Sequence, residues 1–215
     1  ANNTDESLKL LLSQSSQGVT DVVLTTHFKL SEIEIEKFIR LRNTSFNLLK
    51  ERIIENELLK DMKFYLGAEV RYDPNLIYTD IYKLCIENTS YLLLELSATY
   101  PFNFEKTIGW MLSQGVTPII AHVERYEYLT SNAKLLANLC EQGVVFQFNA
   151  SSVFSHHYFR LAKKMLKKGF IHLIASDAHD MEKRPPQLKM ALDKLKKYSG
   201  LLTENSIKVV TDKLI

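Results

Sequence analysis

The sequence predicts an α/β fold in which helices cover a parallel β-sheet, either open or closed into a barrel. Six short apolar runs are spread along the 215 residues, with amphipathic helical segments between them. A glycine ends the helical segment ahead of four of these runs. Strands that are apolar on both faces are typical of parallel sheets with helices on either side. Because helix and strand alternate throughout, we expect residues 1–215 to form a single α/β domain.

The six apolar runs are the predicted strands, and each has an ordinary strand length. Gly18, Gly115, Gly143 and Gly169 stand ahead of four of them. Each glycine is expected to adopt the left-handed conformation that ends a helix and turns the chain back. The predicted strands cover residues 21–26, 64–68, 91–94, 118–121, 145–148 and 171–175.

Helix starts are indicated by capping residues between the strands. Ser31 and Glu34 form a capping-box pattern ahead of one amphipathic segment. Asn103 and Ser131 are residue types that favour the N-cap position, and each precedes a further apolar helical pattern. These signals place helices in the connections, as parallel strands require.

Composition and charge exclude several classes of protein. The chain has 27 basic and 25 acidic residues, a net charge of +2, so we expect no nucleic acid partner. No apolar run is long enough to cross a bilayer, and we expect no signal peptide because residues 1–15 lack a signal-peptide pattern. Cys85 and Cys140 lie far apart in apolar segments and are typical of core residues in a reducing compartment. We therefore expect a cytoplasmic protein without direct membrane insertion.

Ligand-type side chains follow every predicted strand. Because the carboxyl ends of parallel strands meet at one edge of a sheet or one face of a barrel, we expect these side chains to converge. Carboxylates and imidazoles that are gathered together require a positive partner, and divalent metal ions provide one. Oxygen and imidazole donors without thiolate suit manganese, iron or zinc. The candidate metal ligands are His27, Glu69, Glu95, His122, Asp177 and His179, with Asn149 at the end of the fifth strand.

Two arginines follow these candidate ligands closely. Arg125 comes three residues after His122, and Arg184 comes five residues after His179. A guanidinium group presents paired donors that match phosphate oxygens, so arginines beside metals favour a phosphate ester as substrate. Taken singly, each arginine is equally typical of a surface ion pair, and Glu124 is the nearest partner in sequence for Arg125.

Several strings at the strand ends resemble one protein family. The strings are GAE at 67–69, LE at 94–95, TPIIAHVERY at 117–126, FNASS at 148–152, and IASDAH at 174–179 followed by RPP at 184–186. They are similar to the bacterial manganese-dependent tyrosine-protein phosphatases of capsule and exopolysaccharide gene clusters. These enzymes belong to the polymerase and histidinol phosphatase (PHP) superfamily. The resemblance covers essentially the whole chain.

The resemblance implies a distorted (β/α)7 barrel that holds about three manganese ions, with iron or zinc as alternatives. Carried over onto this sequence, Glu69 bridges two metals, and Arg125 and Arg184 grip the phosphate. The implied substrate is the phosphotyrosine tail of a membrane-associated tyrosine kinase that regulates polysaccharide synthesis and export. The implied metal ligands are His27, Glu69, Glu95, His122, Asp177 and His179.

The resemblance breaks down at the N-terminus. The family opens with a strand that bears a His-x-His motif, followed by an Asp-Asp-Gly stretch, and this sequence begins about where that stretch ends. The string Asn2-Asn3-Thr4-Asp5 does not replace it. We therefore expect the first barrel strand to be missing from the chain, with weakened metal binding as the result, and the parent protein to carry that strand.

Other activities remain open on sequence grounds. A cysteine-dependent phosphatase is excluded, because the residues six positions after Cys85 and Cys140 are Tyr91 and Phe146 rather than arginine. Another PHP phosphomonoesterase, such as a histidinol phosphatase, has nearly the same chemistry at the strand ends. A non-catalytic phosphopeptide-binding module is the alternative if the N-terminal ligands are truly lost. A metal-dependent amidohydrolase has less need of two arginines.

Overall fold

Six parallel strands form one sheet, and their spatial order follows their order in the chain. The structure is a computed structural model that describes residues 3–196. Within that range, β1 and β6 are the two edges, and each pairs with a single neighbour. The strands are β1 (Asp21–Phe28), β2 (Lys63–Arg71), β3 (Tyr91–Glu95), β4 (Thr117–Ile120), β5 (Val145–Asn149) and β6 (Leu173–Ala175). All six predicted strands are present, and the α/β prediction is confirmed.

Helices occupy the connections between these strands, together with short 3-10 turns. None of the described helices is both long enough and apolar enough to span a membrane. The helices are α1 (Thr4–Ser16), α2 (Ile35–Ile54), α3 (Phe104–Ser113), α4 (Glu127–Thr130), α5 (Ala133–Glu141), α6 (His156–Lys167) and α7 (Leu188–Lys196).

The four glycines end their helices in the predicted way. Gly18, Gly115, Gly143 and Gly169 have φ values of 84°, 77°, 92° and 70°. At the end of α3, the N–H of Gly115 donates to the carbonyl of Leu112, and the N–H of the next residue donates to Met111. This is a Schellman motif, and the same pair of bonds recurs at the ends of α1, α5 and α6. A side chain at these positions would strain the backbone, so glycine fixes where each strand begins.

The sheet separates two apolar regions because side chains alternate along each strand. On β3, Leu92 and Leu94 join the large core that the helices cover. Leu93 points to the opposite face and packs on a smaller cluster that contains Ile119 and Val145. Polar residues at the strand ends on this second face therefore lie next to the smaller apolar cluster.

None of the three predicted capping residues forms the expected side-chain bond. Asn103 does precede α3, but its backbone is left-handed with φ 56° and its side chain makes no capping bond. Helix α2 begins after Glu34, which makes no side-chain capping bond, so Ser31 and Glu34 do not form a capping box. Helix α5 is capped by Asn132, whose side chain accepts a hydrogen bond from the N–H of Leu135. Ser131 instead donates its hydroxyl hydrogen bond to the carbonyl of Glu127 in the preceding helix. A serine next to an asparagine does not reveal from sequence which of the two caps the helix.

Replacing Asn132 with alanine should lower the free energy of unfolding by about 1 kcal/mol, because the N–H of Leu135 loses its acceptor. Asn132→Ser keeps a capping oxygen and should retain most of the stability. Urea denaturation followed by circular dichroism measures both variants. Equal stability of Asn132→Ala and the wild type would contradict the assigned cap.

Candidate active site

Glu69 is the centre of the first group of site residues. Its side chain is 6% exposed, and its Oε1 lies 3.0 Å from Nε2 of His122. Its Oε2 lies 3.8 Å from Nδ1 of His27, which occupies the paired position on β1. Burying a carboxylate without partners is unfavourable. The imidazoles of His27 and His122 are the partners of the Glu69 carboxylate. This contact brings the ends of β1, β2 and β4 together.

Glu95 adds a second carboxylate at the end of β3. Its Oε1 is 3.8 Å from Nε2 of His122, the nitrogen that also faces Glu69. The same oxygen lies 3.1 Å from Nη1 of Arg71, which occupies the position on β2 paired with Glu95. Arg71 therefore balances the charge of Glu95 from the neighbouring strand.

Asp177 is the centre of the second group, in the loop after β6. Its Oδ2 accepts hydrogen bonds from Nη2 of Arg125 at 3.0 Å and from Nδ2 of Asn149 at 2.7 Å. Nη1 of Arg184 lies 3.6 Å from the same oxygen. On the other side, Oδ1 of Asp177 is 3.1 Å from Nε2 of His179. Two guanidinium groups thus converge on a single anionic oxygen.

The charges around Asp177 control its protonation. Burial alone would raise the pKa of Asp177, but the Arg125 guanidinium, the Asn149 amide and His179 together lower it below its ordinary value. Burial lowers the pKa of His179, while Asp177 opposes that shift. The pair therefore favours an ionised carboxylate beside a neutral imidazole, which is the protonation state that metal coordination requires.

The two groups meet through stacked histidines. The rings of His27 and His179 have centroids 5.4 Å apart. The structure therefore places all the predicted site residues in one contiguous cluster at the carboxyl ends of the strands. Their roles as metal ligands and as phosphate-binding residues stay predictions. The cluster contains His27, Glu69, Glu95, His122, Asp177, His179, Arg125 and Arg184.

The backbone at two of these positions is held in a conformation that is rare for residues other than glycine. His122 has φ 35° and Asp177 has φ 46°, both in the left-handed region. Such backbone costs of order 1–3 kcal/mol and persists where surrounding contacts enforce it. Here it turns the chain directly after β4 and β6, so that each side chain points into the cluster. The left-handed backbone therefore orients the His122 and Asp177 side chains, although it is unfavourable for the loops themselves.

Tyr126 and Gln147 support His122, and neither role could be predicted from the pattern of residues along the chain. The hydroxyl of Tyr126 shares a 2.9 Å hydrogen bond with Nδ1 of His122 and accepts one from the N–H of Leu96. Oε1 of Gln147 accepts a hydrogen bond from the backbone N–H of His122 at 2.6 Å. With Nδ1 engaged, Nε2 is the ring nitrogen directed at the carboxylates. Groups that orient a ligand in this way typically influence metal affinity as well.

The suggested pair between Arg125 and Glu124 is not formed. Glu124 is buried and accepts hydrogen bonds from the hydroxyl of Ser152 at 2.7 Å and from the backbone N–H of Asn149. Burial raises the pKa of Glu124 above its ordinary value, while Ser152 opposes that shift. Neighbouring residues in the short turn after β4 project in different directions. Arg125 is therefore free to reach Asp177 in the loop after β6.

The donor set fits a divalent cation. Ligand atoms of His27, Glu69 and Glu95 all lie within 4.8 Å of one another. Nε2 of His122 lies between the two glutamates, at 3.0 Å and 3.8 Å from their oxygens. Carboxylates and imidazoles without thiolate suit manganese, iron or zinc equally. The carboxylates and imidazoles that contact one another in the structure are thus positioned to hold a cation.

Comparisons with known proteins agree with these features. The model of a family described as capsular polysaccharide synthesis, CpsB/CapC, matches residues 1–212. The tyrosine-protein phosphatase CpsB of Streptococcus pneumoniae is 29% identical over 98% of this chain and 92% of its own length. The putative tyrosine-protein phosphatase CapC of Staphylococcus aureus is 33% identical over 90% of this chain and 78% of its own.

A solved structure confirms the architecture. It is one of the crystal structures of YwqE from Bacillus subtilis and CpsB from Streptococcus pneumoniae, which are described as metal-dependent tyrosine phosphatases. It superposes with a TM-score of 0.85 at 24% identity and covers 99% of this chain and 89% of that one. The fold prediction is therefore confirmed for the described strands and helices.

The two cysteines should not react while the protein is folded. Burial raises the pKa of Cys85 to about 12 and that of Cys140 to about 11. We expect iodoacetamide to leave both unmodified at mildly alkaline pH and to alkylate both in guanidinium chloride, as read by intact mass. Rapid alkylation of the native protein would contradict this assignment.

The same pKa shifts predict that the free energy of unfolding falls at alkaline pH. The unfolded thiols lose their protons near their ordinary pKa of 9.0, whereas the folded thiols keep theirs up to a pH of about 11 for Cys140 and about 12 for Cys85. The free energy of unfolding should therefore fall as the pH rises from 9.0 towards these values.

Proposed function

The chain belongs to the CpsB/CapC family of capsular polysaccharide synthesis, and we propose that it is a metal-dependent protein-tyrosine phosphatase. The observation that supports this best is the convergence of Arg125 and Arg184 on one anionic oxygen, directly beside the carboxylate and imidazole cluster. Forked cationic donors next to a metal site are what hydrolysis of a phosphate monoester requires. The names of the family's relatives point to phosphotyrosine as the substrate.

We assign the metal-holding role to six side chains. In this proposal Glu69 would be the ligand that two cations share, because its two oxygens face different imidazoles, His122 and His27. Divalent cations, which we propose to be manganese, would supply Lewis acidity and activate the water nucleophile when bound. The six side chains are His27, Glu69, Glu95, His122, Asp177 and His179.

Arg125 and Arg184 bind the phosphate in this proposal. Their side chains are 40% and 43% exposed, so a ligand that arrives from solvent can reach both. In the structure, Oδ2 of Asp177 occupies the position of their acceptor. A phosphate oxygen offers the same guanidinium donors a similar acceptor. Their positive charge stabilises the negative charge that develops on the transferred group.

The substrate in the cell is the phosphotyrosine tail of a membrane-associated tyrosine kinase that regulates capsule or exopolysaccharide synthesis. This part of the proposal is supported by the family's role in capsular polysaccharide synthesis and by the phosphatase names of its relatives. A kinase tail is presented on the cytoplasmic side, so we place the protein in the cytoplasm.

Removal of metal should abolish activity. We expect chelation with EDTA to reduce hydrolysis of p-nitrophenyl phosphate by roughly 100-fold or more, and Mn²⁺ to restore it, because the arginines alone do not provide the nucleophile. A phosphotyrosine peptide should be hydrolysed faster than histidinol phosphate by the same preparation. Equal rates for the chelated and Mn²⁺-loaded protein would rule out the metal mechanism, and a preference for histidinol phosphate would favour that substrate.

Loss of either arginine should reduce turnover without unfolding the protein. Arg125→Ala and Arg184→Ala should each lower kcat/KM for a phosphotyrosine peptide by about 100-fold. Lysine at either position keeps the charge but loses the fork, so a partial loss is expected. Arg52→Ala is the matched control, because Arg52 pairs with Asp5 in α1, away from the site. Wild-type kinetics in both alanine variants would remove these arginines from the site.

A further inference from the structure

A groove lies outside the metal and arginine cluster, between the loops that follow β2 and β3. One wall is the 3-10 turn Pro74–Tyr78, and the other is formed by Phe102 and the first turn of α3. The cavity has a volume of about 180 Å³. Pockets for whole small molecules are typically about 300–1,000 Å³, so this groove suits one or two side chains rather than a cofactor.

Two exposed aromatic rings and a cation line the groove. Tyr78 is 81% exposed and Phe102 is 77% exposed, although both belong to its lining. Lys106 also lines it and forms no ion pair with any carboxylate in residues 3–196. Exposed aromatic side chains grouped together are typical of recognition surfaces, and Lys106 adds a positive charge beside them. The chemistry that complements them is an aromatic ring next to a negative charge.

The walls of the groove are tied together in advance. The hydroxyl of Tyr72 donates a 2.5 Å hydrogen bond to the carbonyl of Phe102 and lies 3.1 Å from Oγ1 of Thr107. The N–H of Tyr72 donates in turn to the carbonyl of Glu95. Both loops are therefore anchored to the end of β3, and a ligand does not need to order them.

A continuous series of rings connects the groove to the candidate active site. Each ring contacts the next at a centroid distance between 5.5 and 5.9 Å. The series ends at Phe104, whose neighbours Asn103 and Lys106 line the groove. Because Phe104, Tyr126 and His122 are almost fully buried, the series lies largely beneath the surface and sets only an upper limit on the distance from the site to Phe104. An extended peptide rises about 3.3 Å per residue, so a segment of up to about seven residues covers that distance. The series is His122, Tyr126, Tyr128, Tyr100 and Phe104.

We propose that the groove binds the segment of a peptide substrate that flanks its phosphotyrosine. An aromatic side chain of the peptide packs on Tyr78 and Phe102, and an adjacent acidic side chain pairs with Lys106. This inference rests on the proposed phosphatase function and adds a determinant of substrate choice. An enzyme with this groove selects phosphotyrosines that have an aromatic and acidic segment several residues away.

The test uses the full-length, Mn²⁺-loaded protein and two sets of phosphotyrosine peptides. One set carries an aspartate–phenylalanine pair about five to seven residues from the phosphotyrosine, on either side, and the other carries glycine–serine there. We expect kcat/KM to be roughly 10-fold higher for the aspartate–phenylalanine peptide on the matching side, through a lower KM. p-Nitrophenyl phosphate is too short to reach the groove and serves as the reference substrate.

Groove variants should remove this preference. The triple variant Tyr78→Ala, Phe102→Ala, Lys106→Ala should process both peptides with the KM of the glycine–serine peptide. The double variant Tyr78→Ala with Phe102→Ala and the single variant Lys106→Ala should each lose part of the preference. Turnover of p-nitrophenyl phosphate should not change. Leu58→Ala is the matched control, because Leu58 is 75% exposed and precedes β2, at the opposite end of the sheet from the groove. Equal kinetics of the wild type on both peptide sets would overturn the proposal.

A binding measurement separates this inference from the proposed function. Fluorescence anisotropy with labelled peptides that carry a non-hydrolysable phosphotyrosine analogue reports the groove even when turnover is absent. Tighter binding of the aspartate–phenylalanine peptide, lost in the groove variants, supports the groove even if the protein does not hydrolyse phosphotyrosine. Equal binding by the wild type and the groove variants overturns it, even if the protein is an active phosphatase.

Discussion

The compensation of the buried Glu69 carboxylate is the interaction on which the rest of the site depends. Its side chain is 6% exposed, and its oxygens face one imidazole from β1 and another from the turn after β4. A carboxylate removed from water must be paired or hydrogen-bonded, or its burial is strongly unfavourable. The register between β1 and β2 places His27 directly opposite Glu69. The pairing register of β1 and β2 therefore also determines which imidazole contacts the Glu69 carboxylate.

Several unusual local features follow from this constraint. His122 adopts a left-handed backbone so that its ring reaches Glu69, and Tyr126 and Gln147 hold it there. Asp177 adopts a similar backbone on the other side of the cluster, where Arg125, Arg184 and Asn149 surround it. Within residues 3–196, every buried side-chain nitrogen and oxygen has a hydrogen-bond partner. The backbone strain at His122 and Asp177 is thus offset by side chains whose buried polar atoms are all hydrogen-bonded.

Much of the fold was predictable because its signals are local. A glycine that ends a helix and the apolar run that follows it are adjacent in sequence, and this pattern located four of the six strands; β2 and β3 were located by their apolar runs alone. The strand limits were less certain: β1 extends to Phe28, and β6 begins only at Leu173, because pairing decides where strands start and end. Choosing Asn132 over Ser131 as a helix cap required the direction of each side chain, which composition does not provide.

The candidate site was predictable only in part, for the same reason. Strand ends in a parallel sheet converge, so the six donor residues and both arginines could be identified from their positions. The partners that orient them could not be identified. Arg71 pairs with Glu95 through strand register, and Gln147 meets His122 across two neighbouring strands, so both contacts depend on tertiary structure. The alternative in which Arg125 pairs with Glu124 is not observed, because adjacent residues in this turn point apart.

The distribution of the donors along the chain has a consequence for biosynthesis. His27 lies on the first strand described and His179 follows the last, yet their rings stack. Contacts between distant parts of a chain form late in folding, because a large loop must close first. A nascent polypeptide that has not yet passed β6 contains His27, Glu69, Glu95 and His122 but lacks Asp177, His179 and Arg184. Assembly of the complete set of donors and of both arginines would therefore be confined to molecules whose synthesis has passed β6.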